Sequence, residues 1–562
     1  MCTTREEERL LCAFGFSKEA PVRFESCESL PFGGVLLLLP FLLECGLLSY
    51  RNHYGQRSSG YYNFDNLFIL TAFLYLCRIK SFESTKHYSP GELGKLIGYD
   101  RIPEVKTLRG MIREITCQPH TDKWIAALSQ NWMDEENPEL YYIDGHVQVY
   151  HGSLANLGKK HVSRQRLCLP GMMEFWVNSS DGNPYFFVTA EVNEKMGEML
   201  LSEIVPELLK LHTVSEEQRK RMDASEEEPV FTLVFDREAY SPALFAELWN
   251  KYRIAVITYR KNAKDEWDED LFTDYEVVTS LGKTEMKLCE QEFRHEKCSM
   301  REVRKLSRDG HQTSIVTTNK ILSIVMIASY MFARWAQENF FRYMRQEYAL
   351  DKIIQYTIDE IDKDIKIVNR EYNNFTYRIK KEREKLGRRK AKLYEYEQQN
   401  PLQQDEKENE KWMKRRLELI EEIKRMELDI EKKVNERKKI PYKISLSQMP
   451  EDIRYNRLNK ESKALQNIIK MICYRSETAL ARLLTPYFKR ANQEIRALIK
   501  SIIHTPVNME ADHRNDLLKI TLFPLSNQRS NDAVGKICDT VNATNTIYPG
   551  TNLRLIFKIA TS

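Results

Sequence analysis

Residues 140–150 read LYYIDGHVQVY, and this stretch marks the point where the chain changes from helical patterns to strands. Apolar and polar side chains alternate along it, which is the two-residue period of a half-buried β-strand. An acidic residue, Asp144, stands within this strand. A lone Asp near a strand end is usually a turn or cap residue, so Asp144 is informative only if other acids join it.

Further strand and helix patterns follow in a defined order. Two strands, GMMEFWVN and PYFFVTAEV, are separated by the hairpin signal SSDGN. A helix over 195–212, the buried strand VFTLVF ending at Asp236, a helix over 242–252 and the buried strand IAVITY come next. This order resembles an RNase H-like (retroviral-integrase-like) α/β fold. The resemblance implies that the first and fourth strands lie side by side and bring Asp144 and Asp236 together.

The remaining segments suggest a multidomain chain, as 562 residues exceed what one core usually holds. The predicted units are a helical N-terminal domain (1–135), the first part of the RNase H-like core (136–261), a β-rich insertion (262–319), a last core helix carrying Glu338 (320–350), an antiparallel coiled-coil hairpin (351–440) and a helical, then α+β, C-terminal domain (441–562). The hairpin rests on a heptad-like apolar stripe from Ile354 to Leu393, a break near Pro401 and a second stripe from Leu419 to Val434.

Two helical segments leave alternatives open. Residues 89–116 contain two short helical patterns around a Gly-containing turn, which fits a helix-turn-helix or an ordinary helical hairpin. The basic stretch YRIKKEREKLGRRKAK in the hairpin fits a solvated face, a DNA-backbone contact or a dimer contact.

Composition restricts the function classes. The net charge is only +4, so any nucleic-acid binding requires clustered basic residues. The cysteines form no CxxC pair and favour a reducing compartment. The apolar run at 35–48 is shorter than the roughly 20 residues that span a bilayer and contains Pro40 and Glu44. We therefore expect a buried helix pair there and no membrane association.

The sequence DREA at 236–239, after an apolar strand, resembles the second-acid motif of bacterial insertion-sequence transposases with a DDE site. Their third-acid region carries Tyr, two residues, Arg, three residues, Glu, six residues and Lys. Arg334, Glu338 and Arg345 keep these spacings, while Met331 holds the Tyr position, Tyr330 precedes it, and Arg345 replaces Lys. The resemblance covers about residues 90–350.

The resemblance implies a cut-and-paste DNA transposase. Asp144, Asp236 and Glu338 would be both the catalytic residues and the ligands of two Mg²⁺ or Mn²⁺ ions, which suit oxygen donors. The freed 3′-OH of a transposon end would attack target DNA. The implied partners are double-stranded DNA, as inverted repeats and target, and further copies of the chain in a homodimer or larger synaptic complex. The expected location is the bacterial cytoplasm, at the nucleoid.

Basic residues near the acids are candidate DNA contacts. Arg334, Arg345 and Tyr330 belong to the Glu338 region, and Arg237 follows Asp236. A loop after the first strand adds Lys159, Lys160, Arg164 and Arg166, which equally fit an ordinary soluble surface. His146 is expected on the same sheet face as Asp144, either near the site or in packing.

Two other functions compete with an active transposase. One is an RNase H-like nuclease that cuts without strand transfer. The other is a domesticated DNA-binding protein without catalysis, which the three intact acids disfavour.

Overall fold

The computed structural model describes the chain except residues 1–4, 58, 151–156, 163–166, 193, 264, 280–281, 296–297, 352–357, 360–365, 399–405, 446–447, 449–456, 459, 488–491 and 561–562. The chain divides into two compact units. The first unit comprises residues 1–151, 158–357 and 459–562, and the second comprises 152–157 and 358–458.

The strands, in chain order, are β1 Cys27–Leu30, β2 Leu140–Val149, β3 Lys159–Val162, β4 Leu167–Asn178, β5 Pro184–Glu191, β6 Phe231–Phe235, β7 Ile254–Tyr259, β8 Thr273–Thr279, β9 Gly282–His295, β10 Cys298–Leu306, β11 Gln312–Thr317, β12 Ile358–Asp359, β13 Lys366–Val368, β14 Lys443–Ser445, β15 Arg457–Leu458, β16 Val507–Asp512, β17 Leu517–Leu522 and β18 Arg554–Ile559.

The α-helices, in chain order, are α1 Glu6–Ala13, α2 Leu39–Glu44, α3 Phe64–Leu76, α4 Pro90–Lys95, α5 Val105–Ile115, α6 Thr121–Glu136, α7 Met196–Met199, α8 Val205–Leu211, α9 Glu216–Ala224, α10 Pro242–Tyr252, α11 Ile324–Ala333, α12 Trp335–Tyr348, α13 Arg370–Gln398, α14 Glu406–Lys439, α15 Lys460–Leu484, α16 Asn492–His504 and α17 Gln528–Asn542. A π-helical turn, Leu200–Ile204, joins α7 to α8.

A ten-stranded mixed sheet forms the centre of the first unit. From one side its strands run β5, β4, β2, β6 and β7, with β2, β6 and β7 parallel and β4 antiparallel to β2. Every residue of β6 is buried, which explains its unbroken apolar sequence, since strands in parallel sheets are covered on both faces. The chain therefore has a mixed α/β fold with β2 and β6 adjacent.

The predicted β insertion extends this sheet. β11 pairs antiparallel with β7, and β10, β9 and β8 follow as successive antiparallel neighbours. Helix α11 packs over β8, burying Ile327, Ala328 and Met331.

The two ends of the chain share one sheet, which differs from the separate terminal domains expected from the sequence. β1 pairs with β16, and β17 and β18 complete a four-stranded sheet. Helix α15 packs against α2, α3 and α16. The apolar faces of the two ends cover each other. The paired strands β1 and β16 are far apart in the sequence, so no local pattern reveals their pairing.

Two predictions in the N-terminal region have structural counterparts. Gly33–Asn52 is long and apolar enough to cross a membrane by length and composition, and 67 % of its apolar window is buried within the fold. In the helix-turn-helix candidate, α4 has only six residues and α5 has eleven. Leu108, Met111 and Ile112 of α5 are buried in the core, so these side chains are unavailable to a DNA groove.

The second unit contains the predicted helical hairpin, with one correction. α13 begins at Arg370, and the described residues before it form strands β12 and β13, which pair with β15 and β14. The expected helix from Ile354 is therefore wrong over these strands. Ile367 and Val368 are β-branched and favour a strand when a partner strand is present. The predicted break near Pro401 lies outside the described residues.

Candidate active site

Asp144 and Asp236 are brought together by the pairing of β2 with β6. Ile143 lies opposite Phe235 in this parallel pair, so the next residue on each side is an Asp. Neighbouring strands are about 4.8 Å apart. β2 continues beyond the end of β6, and Asp236 begins the following 3₁₀ turn, Arg237–Ala239.

Each of the two Asp side chains is oriented by the backbone that follows it. The Gly145 N–H donates to Asp144 Oδ1 at 2.9 Å, and the Arg237 N–H donates to Asp236 Oδ1 at 2.7 Å. Each carboxylate keeps its second oxygen for other partners.

Glu338 comes from the first turn of α12. The sequence predicted one helix from about Lys320, but the structure has two, with a turn at Arg334 between α11 and α12. The break creates a helix start next to the sheet, and Glu338 lies in that first turn, where the helix dipole favours negative charge.

Arg334 connects the third acid to the first. Its Nη2 donates to Glu338 Oε1 at 2.6 Å, and its Nη1 lies 3.9 Å from Asp144 Oδ2. The Arg334 side chain is 13 % exposed, whereas that of Glu338 is 52 % exposed. A largely buried guanidinium therefore holds a more exposed carboxylate close to the sheet acids.

The three carboxylates share one electrostatic environment. Burial is the main cause that raises the pKa of Asp144 to about 7, and the charges of Asp236 and Glu338 add to the rise. Arg334 and the Gly145 N–H act in the opposite direction. The Asp144 side chain keeps 24 % of its surface exposed, so solvent still reaches this carboxylate.

Two residues at this site were missed by the sequence analysis. Gln337, next to Glu338, donates from Nε2 to the carbonyls of Tyr142 and Trp176 at 3.3 Å and to Asn178 Oδ1 at 3.0 Å. These contacts attach α12 to β2 and β4. Tyr259, the last residue of β7, is near the site, because Asp236 and Glu338 contribute, after burial, to raising its pKa. A buried Gln and a strand-end Tyr carry no sequence signal of their own.

The predicted DNA contacts from the Glu338 region occupy different places. Arg345 donates from Nε to the Phe341 carbonyl at 3.1 Å, and its charge contributes, after burial, to lowering the pKa of His146. His146 is 2 % exposed and stacks on Phe341 at 5.1 Å between ring centroids. It is therefore a neutral packing residue. Tyr330 is half-buried, and its carbonyl accepts a hydrogen bond from the Tyr142 hydroxyl at 2.7 Å.

The predicted basic loop only partly belongs to described residues. Lys160 Nζ lies 3.6 Å from Glu238 Oε1, which places this lysine beside the turn that follows Asp236. Lys159 and Arg237 are exposed. Arg164 and Arg166 lie outside the described residues.

The donor atoms fit Mg²⁺ or Mn²⁺, because all three side chains supply carboxylate oxygens. The three carboxylates are not arranged as metal ligands in the structure. The part of the chain that the structure describes contains no group of three or more His, Cys, Asp or Glu residues positioned to hold a metal ion. Glu338 is engaged by Arg334 instead. Its carboxylate would have to leave the guanidinium to join the two Asp residues.

The family described as transposase protein matches residues 1–561 of this sequence. The chain belongs to this transposase family. The match covers both units and includes all three acids.

A solved piggyBac transposase, described in a synaptic complex with hairpin DNA, is similar to this transposase at 10 % identity and a TM-score of 0.28. The match covers 55 % of this chain and 65 % of that one. The comparison with curated proteins found no match.

Proposed function

We propose that this transposase cleaves transposon ends and joins their 3′-OH groups to target DNA, with Asp144, Asp236 and Glu338 as its catalytic residues. The observation that carries the proposal is the meeting of three acids, from β2, the end of β6 and the start of α12, around Arg334. Membership of the transposase family supports the same reaction class.

We also propose that residues 136–261 and 320–350 form an RNase H-like core of the type found in DDE transposases of bacterial insertion sequences. The strand order β5, β4, β2, β6, β7 supports this classification, as does the antiparallel direction of β4 within an otherwise parallel centre. The DREA sequence and the Arg–Glu–Arg spacing support the subtype.

In this proposal the three carboxylates hold two Mg²⁺ or Mn²⁺ ions. Such ions activate a nucleophile and stabilise the attacking and leaving oxygens of a phosphodiester displacement. The protein's own work is positioning: Gln337 fixes the start of α12, and the sheet pairing fixes the two Asp residues. Arg334, when it leaves Glu338, and Lys160 supply positive charge for phosphates beside the scissile bond.

The test uses the full chain, a plasmid carrying the DNA that flanks its gene, and Mg²⁺. Asp236→Asn and Glu338→Gln should each lower end cleavage by on the order of 100-fold or more, the scale of losing one electrostatic stabiliser. Binding of the plasmid DNA should persist. Glu247→Gln, an exposed acid on α10, is the matched control and should cleave like the unmodified chain.

The products discriminate between the competing functions. Ends joined to a second plasmid support the transposase, and hydrolysis products alone would indicate a nuclease without strand transfer. Undiminished cleavage by either acid variant would overturn the site assignment. Because two ends must be cut and joined together, we expect the active species to contain at least two copies of the chain.

A further inference from the structure

The first helix of the hairpin carries a concentration of positive charge that the proposed active site does not use. Between Arg378 and Lys392 there are nine Lys and Arg residues against two Asp and Glu residues, in a chain whose net charge is only +4. Helix α14, by contrast, mixes twelve basic residues with ten acidic ones. The charge is therefore a property of one helix and not of the hairpin as a whole.

On the side of α13 that packs on α14, basic residues form ion pairs with acidic residues of α14. Arg389 pairs with Glu422 at 3.3 Å, and Lys390 pairs with Glu427 at 2.7 Å. Ile379 is buried between these helices. The basic residues at the contact between α13 and α14 are thus paired with acidic residues of the hairpin itself.

The outward side of α13 is matched only in part, by the pair of Lys381 with Glu384 at 3.2 Å. Lys380, Arg383, Arg388 and Lys392 are exposed, and none of them forms an ion pair with any residue for which the structure gives a position. At about 100° per residue they lie within half of the helix circumference. We call these four residues the basic face.

The surroundings of the basic face suit a flat, charged partner. Gly387 lies between the cations, and nothing stands within 4 Å of where its Cβ would be. Tyr377 and Tyr394, at either end, are 62 % and 66 % exposed. These two tyrosines are about 26 Å apart along the helix axis, a length that spans many phosphates of a duplex.

We propose that the basic face binds the sugar–phosphate backbone of duplex DNA without reading its sequence. The lysines and arginines supply charge for phosphates, and the exposed tyrosine hydroxyls can donate to phosphate oxygens. The face lacks the bulky aliphatic residues with which an amphipathic helix enters a lipid surface. The inference rests on the proposed DNA transposase function and adds a second DNA contact, outside the candidate active site.

The experiment measures binding of the full chain to a 40-base-pair duplex of arbitrary sequence in EDTA, over a series of KCl concentrations. Neutralising the basic face with Lys380→Gln, Arg383→Gln, Arg388→Gln and Lys392→Gln should weaken binding at least about tenfold. The slope of log affinity against log salt should become shallower by about 3–4, because each lost phosphate contact removes about 0.9. Circular dichroism checks that the helices are retained.

A matched control removes the same charge from the other helix of the hairpin. Lys411→Gln, Lys414→Gln, Lys424→Gln and Lys432→Gln change four exposed cations of α14 and should leave the slope within about 1 of the unmodified chain. The exchange Lys380→Arg, Arg383→Lys, Arg388→Lys and Lys392→Arg should retain binding. Contact with the DNA backbone requires positive charge more than the bidentate geometry of a guanidinium.

Several results would overturn the proposal. One is an unchanged slope in the basic-face variant, and another is an equal loss in the α14 control. A third is lost binding to phosphatidylserine vesicles with duplex binding intact, which would make a membrane the partner. The assay involves no cleavage, so its failure is separate from failure of the catalytic proposal, which the Asp236→Asn and Glu338→Gln variants test.

Discussion

At the scale of single residues, Asp144 is the group whose surroundings differ most from those of an ordinary aspartate. Burial raises the pKa of Asp144 to about 7, and the charges of both other carboxylates, Asp236 and Glu338, add to this rise. Arg334 offsets part of that repulsion from 3.9 Å. The site is therefore built around one arginine that partially neutralises the clustered acids.

This environment predicts a pH-dependent stability. The folded pKa of Asp144 lies above the roughly 3.9 of an unfolded chain, so the folded state holds this proton more tightly. Its contribution to stability is complete below about pH 4 and is lost as the pH rises through about 7. Asp144→Asn should therefore raise the free energy of unfolding by about 1–3 kcal/mol at pH 8 and change it little at pH 4.

Urea denaturation in EDTA at the two pH values checks this expectation. The exposed Asp181, 71 % accessible in the turn between β4 and β5, provides the control variant Asp181→Asn, whose stability should follow the unmodified chain. An Asp144→Asn variant that is equally destabilised at both pH values would contradict the account.

At the scale of elements, the position of α12 determines whether Glu338 belongs to the site. Gln337 is 1 % exposed and attaches the first turn of this helix to β2 and β4. Gly182, in the turn before β5, is also close: a Cβ there would lie 2.9 Å from the Ala336 carbonyl oxygen. The start of α12 is thus held from two sides.

Replacing Gln337 with Leu should destabilise the chain by about 1–3 kcal/mol, because the buried acceptors on the sheet lose their donor. Cleavage should fall as well, with DNA binding unchanged, since Glu338 would no longer be held at the same place. Urea denaturation and the plasmid assay measure the two effects. Gln346→Ala, an exposed glutamine on the same helix, should alter neither, and an equal response of both variants would argue against the positioning role.

At the scale of the whole molecule, a buried charge network joins segments from the N-terminal, central and C-terminal parts of the first unit. Glu477 of α15 is fully buried and accepts from Arg78 Nη2 at 2.7 Å, from the Tyr343 hydroxyl at 2.6 Å and from Arg496 Nη1 at 3.3 Å. Burial opposes ionisation of Glu477, but Arg78 and Arg496 outweigh it and lower its pKa. The network depends on three distant segments meeting.

Glu477→Gln should therefore cost about 3–5 kcal/mol near pH 7, because Arg496 and Arg78 lose the buried carboxylate between them and Arg78 keeps only its pair with Glu347 at 2.8 Å. The same stabilisation should disappear from the unmodified chain as the pH falls through the lowered pKa of Glu477. Thermal or urea unfolding measures both. Glu510→Gln, which removes the surface pair with Lys519 at 2.9 Å, should change stability by less than about 1 kcal/mol. A small effect of Glu477→Gln would mean that the network is not essential to the fold.

Local sequence patterns predicted much of the central sheet. The alternation in β2, the unbroken apolar run of β6 and the hairpin signal between β4 and β5 each depend on neighbours within a few residues. The helical stripes of α13 and α14 were likewise readable, although the strands before α13 were not. Such strands form only because a partner segment from the other side of the hairpin lies beside them.

By itself, the sequence determined most strands of the central sheet, the two long helices of the hairpin and the acidic residues Asp144, Asp236 and Glu338, because strand and helix periods are properties of adjacent residues. Only the tertiary structure decided that β1 joins β16, that Gln337 and Tyr259 belong to the site, and that the Arg334 guanidinium approaches Asp144. These are contacts between residues brought close by burial of apolar surface. Their energies depend on distance and desolvation in the folded chain, which no local pattern encodes.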